Sequence, residues 1–453
     1  MAMRKKIWCV AIILGALVMA FSTVEAQTPQ SADDRAARIA NLERMLEELA
    51  EQVRALQAEQ EADKEERSEY QKEVTEKIDE AVETIKAREA NDTGGFDIGG
   101  YGEIHANFNQ GSDKDQIDIH RFVLDFNYDF EDWIRFRSEL EVEHAFISDD
   151  DGEISLEQFY VDFMFHDKLN LRIGRFLTPL GIINQRHEPP LFYGVERPNV
   201  DKVIIPTTWS SDGVGIFGNV TRSLTYELYA AVGLDGSKFD PKNGIRGGRI
   251  KERPSLNDIA FMGRVDYYPF VHFSAPAGQT LRLGLGGYTG GVDNGDQGKN
   301  PGGLSGVNIH MGVVDFEYTL AKFDLRGEFA FTRIDNASKL SAGVADPTDP
   351  GVAKEIVGWY IEPAYHVMPD SWKKGRWSES DAVVFARYED FDTQHTTVSG
   401  RLREPGGERQ EWTMGINFYF TPSLVLKADY QITEDDSATE PNNRLNFGMG
   451  MMF

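Results

Sequence analysis

The stretch RLNFGMGMMF, residues 444–453, sets Leu445, Phe447, Met449, Met451 and Phe453 on one side of a two-residue repeat and ends on an aromatic ring. Successive side chains of a strand point to opposite faces. One face here is apolar, while the other carries Asn446, Gly448 and Gly450. Such a strand suits the closing position of a transmembrane barrel, with lipid on one side and lumen on the other. The rest of the chain must then supply its partners.

Export comes first. Arg4, Lys5 and Lys6 precede an apolar run from Ile7 to Phe21, and Val24-Glu25-Ala26 follows. The run is shorter than the roughly 20 residues that span a bilayer as a helix. It is expected to be a signal peptide, residues 1–26, cut after Ala26. The single cysteine, Cys9, lies inside it, so the mature chain should hold no disulfide and no thiolate chemistry. No later stretch approaches 18 consecutive apolar residues, so any further membrane crossing must be made by strands.

Residues 27–95 form a second region. Between residues 31 and 90 there is no Gly or Pro, and Ile39, Leu42, Leu46, Leu49, Val53 and Leu56 are spaced 3-4-3-4-3. That is a heptad seam, and it predicts a periplasmic α-helical coiled coil. The seam turns polar at Gln60, Asp63 and Arg67 and resumes out of phase at Val74, Ile78, Val82 and Ile85, which predicts a stutter. The NDTGG at residues 91–95 breaks the helix, and from Phe96 the period changes to two.

Residues 96–453 divide by alternation and turn clusters into sixteen strands, the first at 96–109 and the last at 444–453. The predicted fold is all-β, a 16-stranded antiparallel transmembrane barrel behind the helical segment. Short connections, as at 130–132, 166–168, 221–222 and 421–422, alternate with long Gly-rich or acidic ones, as such barrels require. The twelfth-to-thirteenth connection, 368–379, is longer than the pattern asks for.

Charge patterning turns the barrel inside out relative to a soluble protein. Around residues 133–146, Ile134, Phe136, Leu140 and Val142 alternate with Arg135, Arg137, Glu139, Glu141 and Glu143. Parity likewise points Arg172, Arg264, Arg282, Arg326, Glu328, Arg387 and Lys427 inward. A sandwich or a lipocalin-like barrel would bury its apolar face instead. The net charge of −27 includes +2 from residues 1–26 and −9 from residues 27–95, leaving −20 for the barrel. Acids two residues from several of these bases (Asp266, Glu328, Glu389, Asp429) suggest a lumen of balanced pairs.

Three segments carry a family resemblance: LNLRIGRFLTPLG at 169–181, FARYEDFD at 385–392 and GINFYFTPSLVLKADYQI at 415–432. With the aromatic terminus, they resemble the phosphate- and pyrophosphate-selective outer-membrane porins over the whole of residues 96–453. The resemblance implies a homotrimer of water-filled, 16-stranded channels. By the same analogy with porins, the loop between the fifth and sixth strands folds inward as the constriction. It spans residues 177–211 and carries Arg186, His187, Glu188, Glu196, Arg197, Asp201 and Lys202 among prolines. Mixed charges on a proline-stiffened loop would set a size cutoff and a transverse field.

The expected function is passive diffusion of small hydrophilic solutes and ions, phosphate among them, across the outer membrane of a Gram-negative bacterium. The alternative is a structural tether, with the coil gripping peptidoglycan or another periplasmic partner. Lipid and lipopolysaccharide would surround the barrel, and the strand ending at Phe453 would meet the barrel-assembly machinery. Nothing points to an enzyme, a cofactor or a nucleic acid. No metal centre is expected either, since His187-Glu188 lacks a second histidine at zinc spacing.

Overall fold

The computed structural model describes residues 95–110, 114–144, 152–271, 279–295, 303–341, 349–435, 437 and 442–453. The expected signal peptide and coiled coil lie outside these residues. Sixteen strands are present among them: β1 (Gly95–Asn109), β2 (Gln116–Glu131), β3 (Ile134–Glu143), β4 (Glu153–His166), β5 (Leu169–Leu177), β6 (Ser210–Thr221), β7 (Leu224–Val232) and β8 (Ile259–Tyr267). The second half is β9 (Gln279–Gly291), β10 (Asn308–Leu320), β11 (Phe323–Asp335), β12 (Glu355–His366), β13 (Asp381–Thr396), β14 (Glu408–Thr421), β15 (Leu424–Asp435) and β16 (Asn442–Met452).

Every strand pairs antiparallel with its sequence neighbours, and β16 returns to β1, closing the sheet. That seam runs from Tyr101 opposite Met452 to Asn109 opposite Arg444. Gly100 and Phe453 exchange backbone hydrogen bonds of 3.0 and 2.9 Å at its end. Closure leaves no edge strand with unpaired amides, the condition for a sheet to sit in hydrocarbon.

The polarity is inverted as the alternation predicts. On β14, Trp412, Met414 and Ile416 are 46–50% exposed, while Glu411, Thr413 and Asn417 are 0–4% exposed. Aromatic pairs gather near the short turns: Trp133 lies 5.9 Å from Phe165, and Phe418 lies 5.0 Å from Phe420. Rings at that level suit the membrane interface. The long twelfth connection has a use there, because its Trp377 packs on Phe418 and Phe420 at 5.9 and 6.2 Å.

Strand boundaries differ from the sequence expectation where the register slips. β13, expected at residues 380–391 from the alternation, runs on to Thr396, because Glu355 pairs with Thr396 but Val357 with Asp392. β1 and β2 slip between Glu103 and Ile104, leaving His120 as an extra residue. A bulge of this kind reverses which face later residues take.

The lumen is not charged all round. Tyr229, Tyr288, Met311, Ile356 and Tyr360 point inward and join a core with Ile183, Ile204, Ile205 and Trp209 of the 178–209 loop. The parity reading missed this because a strand packed by a loop needs an apolar inner face too.

Leu285 sits at the middle of β9, 60% exposed, beside Val265 and Val314. Replacing it with Arg is expected to cost about 2–4 kcal/mol of folding free energy in a bilayer. Denaturant unfolding in lipid vesicles measures this, and a loss comparable to that of Leu285→Ala would remove Leu285 from the lipid face.

Candidate functional site in the barrel lumen

The 178–209 loop crosses the barrel as a chord. At one side, the His187 ring lies 2.7 Å from the Tyr101 hydroxyl of β1 and 3.2 Å from Glu157 of β4, while Arg121 of β2 donates to the His187 carbonyl. At the other, the Val195 amide donates to Asp429 of β15 at 2.6 Å and the Val200 amide to Glu389 of β13 at 3.2 Å. The Ile182 amide donates to Glu328 of β11 at 2.6 Å. Only a segment inside the lumen can reach strands this far apart around the wall. Hydrogen bonds to charged partners contribute roughly 1.5–3 kcal/mol each, so the loop is held by its wall contacts as well as by its apolar core.

The loop residues singled out from sequence take different roles. Arg186 pairs with Glu317 of β10 at 2.5 Å. His187 is 2% exposed; burial disfavours its charged form, yet Glu157 and Glu139 outweigh that and raise its pKa. Glu188 is half-buried. Glu196 accepts from Lys202 at 2.8 Å, and that lysine with His105 holds its pKa well below the usual range against the pull of burial. Asp201 is fully buried and makes no ion pair among the described residues; burial, then the nearby Glu389 carboxylate, pushes its pKa up to about 7.

The wall residues form a nearly neutral lattice. Arg137 meets Asp129 at 2.7 Å, Arg172 meets Asp162 at 2.7 Å, and Arg264 meets both Asp266 and Asp315 at 2.8 Å. Arg282 meets Asp266 and Glu317 at 2.7 Å, and Arg387 meets Glu389 at 2.9 Å. Glu139 accepts from Gln158 at 2.5 Å, and Glu141 lies 3.8 Å from Arg121. Arg135 is half-buried beside them.

Two pairings expected from spacing are not made. Arg326 meets Glu362 of the next strand at 2.5 Å rather than Glu328, whose carboxylate is taken by the loop. Lys427 does not pair with Asp429: its ammonium donates to the Phe192 and Gly194 carbonyls at 2.7 and 2.8 Å and lies over the Phe192 ring. In both cases the inserted loop takes one member of the expected pair, Glu328 in the first and Lys427 in the second.

A cavity of about 350 Å³ opens toward the long-loop end and one of about 540 Å³ toward the short turns. The first has acids on the wall, Glu103, Glu141 and Glu157, and bases on the loops, Arg197, Arg246 and Arg249. Those three arginines donate to neutral oxygens, of Thr208, Lys202 and Thr208 again, and make no ion pair among the described residues. Burial, then Arg249 and Arg197, lowers the Arg246 pKa to about 10; burial likewise lowers Arg197 and Arg249. Sequence reading missed Arg246 and Arg249, which lie on the loop after β7, and Arg121, which the bulge at His120 turns inward.

A closed sixteen-strand barrel, apolar outside and charged within, with a loop folded across its lumen, defines a channel-type outer-membrane β-barrel. The sequence profile described as Phosphate-selective porin O and P matches residues 93–226. An uncharacterized protein of Aquifex aeolicus (strain VF5) is 34% identical over 370 residues, 79% of this chain and 80% of its own. Among solved structures, the chain is similar to a loop L8 deletion mutant of OmpT of Vibrio cholerae, with 13% identity, 80% of this chain and 100% of that one covered, and a TM-score of 0.49. It is also similar to an anion-selective porin from Comamonas acidovorans, with 11% identity, 80% and 100% covered, and a TM-score of 0.48. The chain belongs to the phosphate-selective porin O and P family and is an outer-membrane porin.

The raised pKa of Asp201 has a definite sign. The fold binds its proton more tightly than the unfolded chain does, so stability falls as pH rises from about 4 toward about 7. Asp201→Asn removes that loss, which linkage bounds at a few kcal/mol, on the order of 1.4 kcal/mol per pH unit. The variant is expected to melt with the wild type near pH 4 and above it at pH 8. A difference that does not change with pH would contradict the assignment.

Proposed function

We propose that the protein is a passive diffusion porin whose lumen carries small hydrophilic solutes and ions between the two cavities, past the 178–209 loop. Within that traffic it favours small oxyanions, phosphate included. The observation that carries the preference is the trio Arg197, Arg246 and Arg249, which face the outer cavity without matched carboxylates. A guanidinium short of partners offers planar, charge-assisted donors to an oxyanion shedding water.

The barrel's charge of −20 argues the other way only at long range. At physiological salt the Debye length is about 8 Å, so acids on outer loops are screened from the passage. The charges within that distance decide selectivity, and the wall arginines near the loop are already neutralised by their acids. Lys202 is likewise taken up by Glu196. The arginine trio is what remains.

Following the family resemblance, we take the working assembly to be a homotrimer in lipid and lipopolysaccharide, assembled through the strand that ends at Phe453. Residues 1–26 would be removed on export, and residues 27–95 would lie in the periplasm.

Planar-bilayer recording of the refolded full chain tests the reading. Stepwise openings in threes, a reversal potential in a KCl gradient on the anion side, and block by added phosphate are expected. Arg246→Gln with Arg249→Gln should reduce the anion-to-cation permeability ratio several-fold and weaken phosphate block, while the corresponding Lys variants retain most of both. Cation preference without block would leave a general porin and reject the oxyanion preference. A silent barrel would reject the channel and favour the tether, in which the helical segment binds peptidoglycan.

A further inference from the structure

Asp118, His120 and His144 converge on the lumen wall at the long-loop end, and the function above does not use them. Each offers one ligand atom, and these atoms all lie within 4.8 Å of one another. The Asp118 Oδ2 is the hub: the His144 Nδ1 lies 2.5 Å from it and the His120 Nδ1 3.4 Å. The two rings stand nearly perpendicular, 5.4 Å apart.

Two backbone irregularities bring them together. Alternation counted from the outward Ile117 and Ile119 sends His120 inward, and the extra residue lets Arg121 face inward after it, so His120 stacks on the lumen-facing His105 at 4.5 Å. His144 follows the end of β3 at a φ of +56°, unusual for a residue with a side chain, and its amide donates to the His120 carbonyl. Irregularities of both kinds concentrate where a side chain must be aimed.

We propose that these three residues bind a first-row divalent cation of the zinc type at the mouth of the channel. Two imidazoles and one carboxylate form a borderline N,N,O donor set, suited to Zn²⁺ and poorly suited to Ca²⁺ or Mg²⁺. Tetrahedral zinc with bonds of about 2.0–2.1 Å needs its ligand atoms roughly 3.3 Å apart. The His120 contact already meets this, and the Asp118–His144 pair must open by less than about 1 Å as the cation replaces the shared proton. The side chains are 21–41% exposed, so an ion reaches them from solution and keeps water in the remaining position. The bland alternative is a hydrogen-bonded cap on the strand ends that needs no ion.

The test does not depend on conduction. Untagged, refolded full-length protein in detergent is titrated with Zn²⁺ by calorimetry and with Co²⁺ by visible absorption. One ion per chain is expected, with His120→Ala, His144→Ala and the near-isosteric Asp118→Asn each weakening affinity at least about tenfold. His310→Ala, an exposed histidine elsewhere on the wall, is expected to change nothing. Retention of the heat-modifiable barrel band on gels establishes folding of each variant, and the Asn variant serves should an alanine fail. Equal binding in the wild type and the His120/His144 variants, no binding at all, or equal loss on His310→Ala would overturn the proposal.

Discussion

A sheet in hydrocarbon must satisfy every backbone amide within itself, and the pairing of β1 with β16 does so here. Closure dictates the rest. With no water at the outer face of the membrane-crossing zone, apolar side chains go outward there, and the charges of that part of a strand go mostly inward. A lumen so crowded with charges would be self-repelling unless bases and acids interleave. The Arg264–Asp315 and Arg387–Glu389 contacts show how neighbouring positions solve this.

The inserted loop uses what the wall leaves over. Wall carboxylates accept its amides at Ile182, Val195 and Val200, and its carbonyls take the ammonium of Lys427. A charged lumen thus becomes the anchoring surface for a polar backbone, while Trp209, Ile204 and Ile205 fill the apolar sector. The wall spends its charges on the loop, which explains why an inward arginine is no guide to selectivity. The informative bases are the loop arginines that make no ion pair among the described residues, Arg197, Arg246 and Arg249.

Most of the fold was legible because two-residue alternation depends only on the pleat. The sixteen strands and the inverted polarity of β14 follow from it directly. What was not legible is where alternation is interrupted. A parity count carried through Ile117 and Ile119 places Arg121 in lipid, and only the extra residue at His120 returns it to the lumen, 2% exposed against Glu103. Nor could spacing along one strand find the Arg326–Glu362 pair, which forms across β11 and β12. The loop residues were recognisable as a group, by length, prolines and mixed charge. Their individual partners were not, because each partner is set by where the chord meets the wall.

The bulge and the arginine trio bear on the same cavity from opposite sides. By adding a residue at His120, the bulge sets Arg121 between Glu103 and Glu141, which leaves the acidic wall partly neutralised. The cavity therefore sets a partly neutralised acidic wall against loop arginines that make no ion pair among the described residues. In the proposed oxyanion traffic, the donors that hold no ion pair are these loop arginines. The chord beneath is pinned near its middle by the His187 and Val195 contacts.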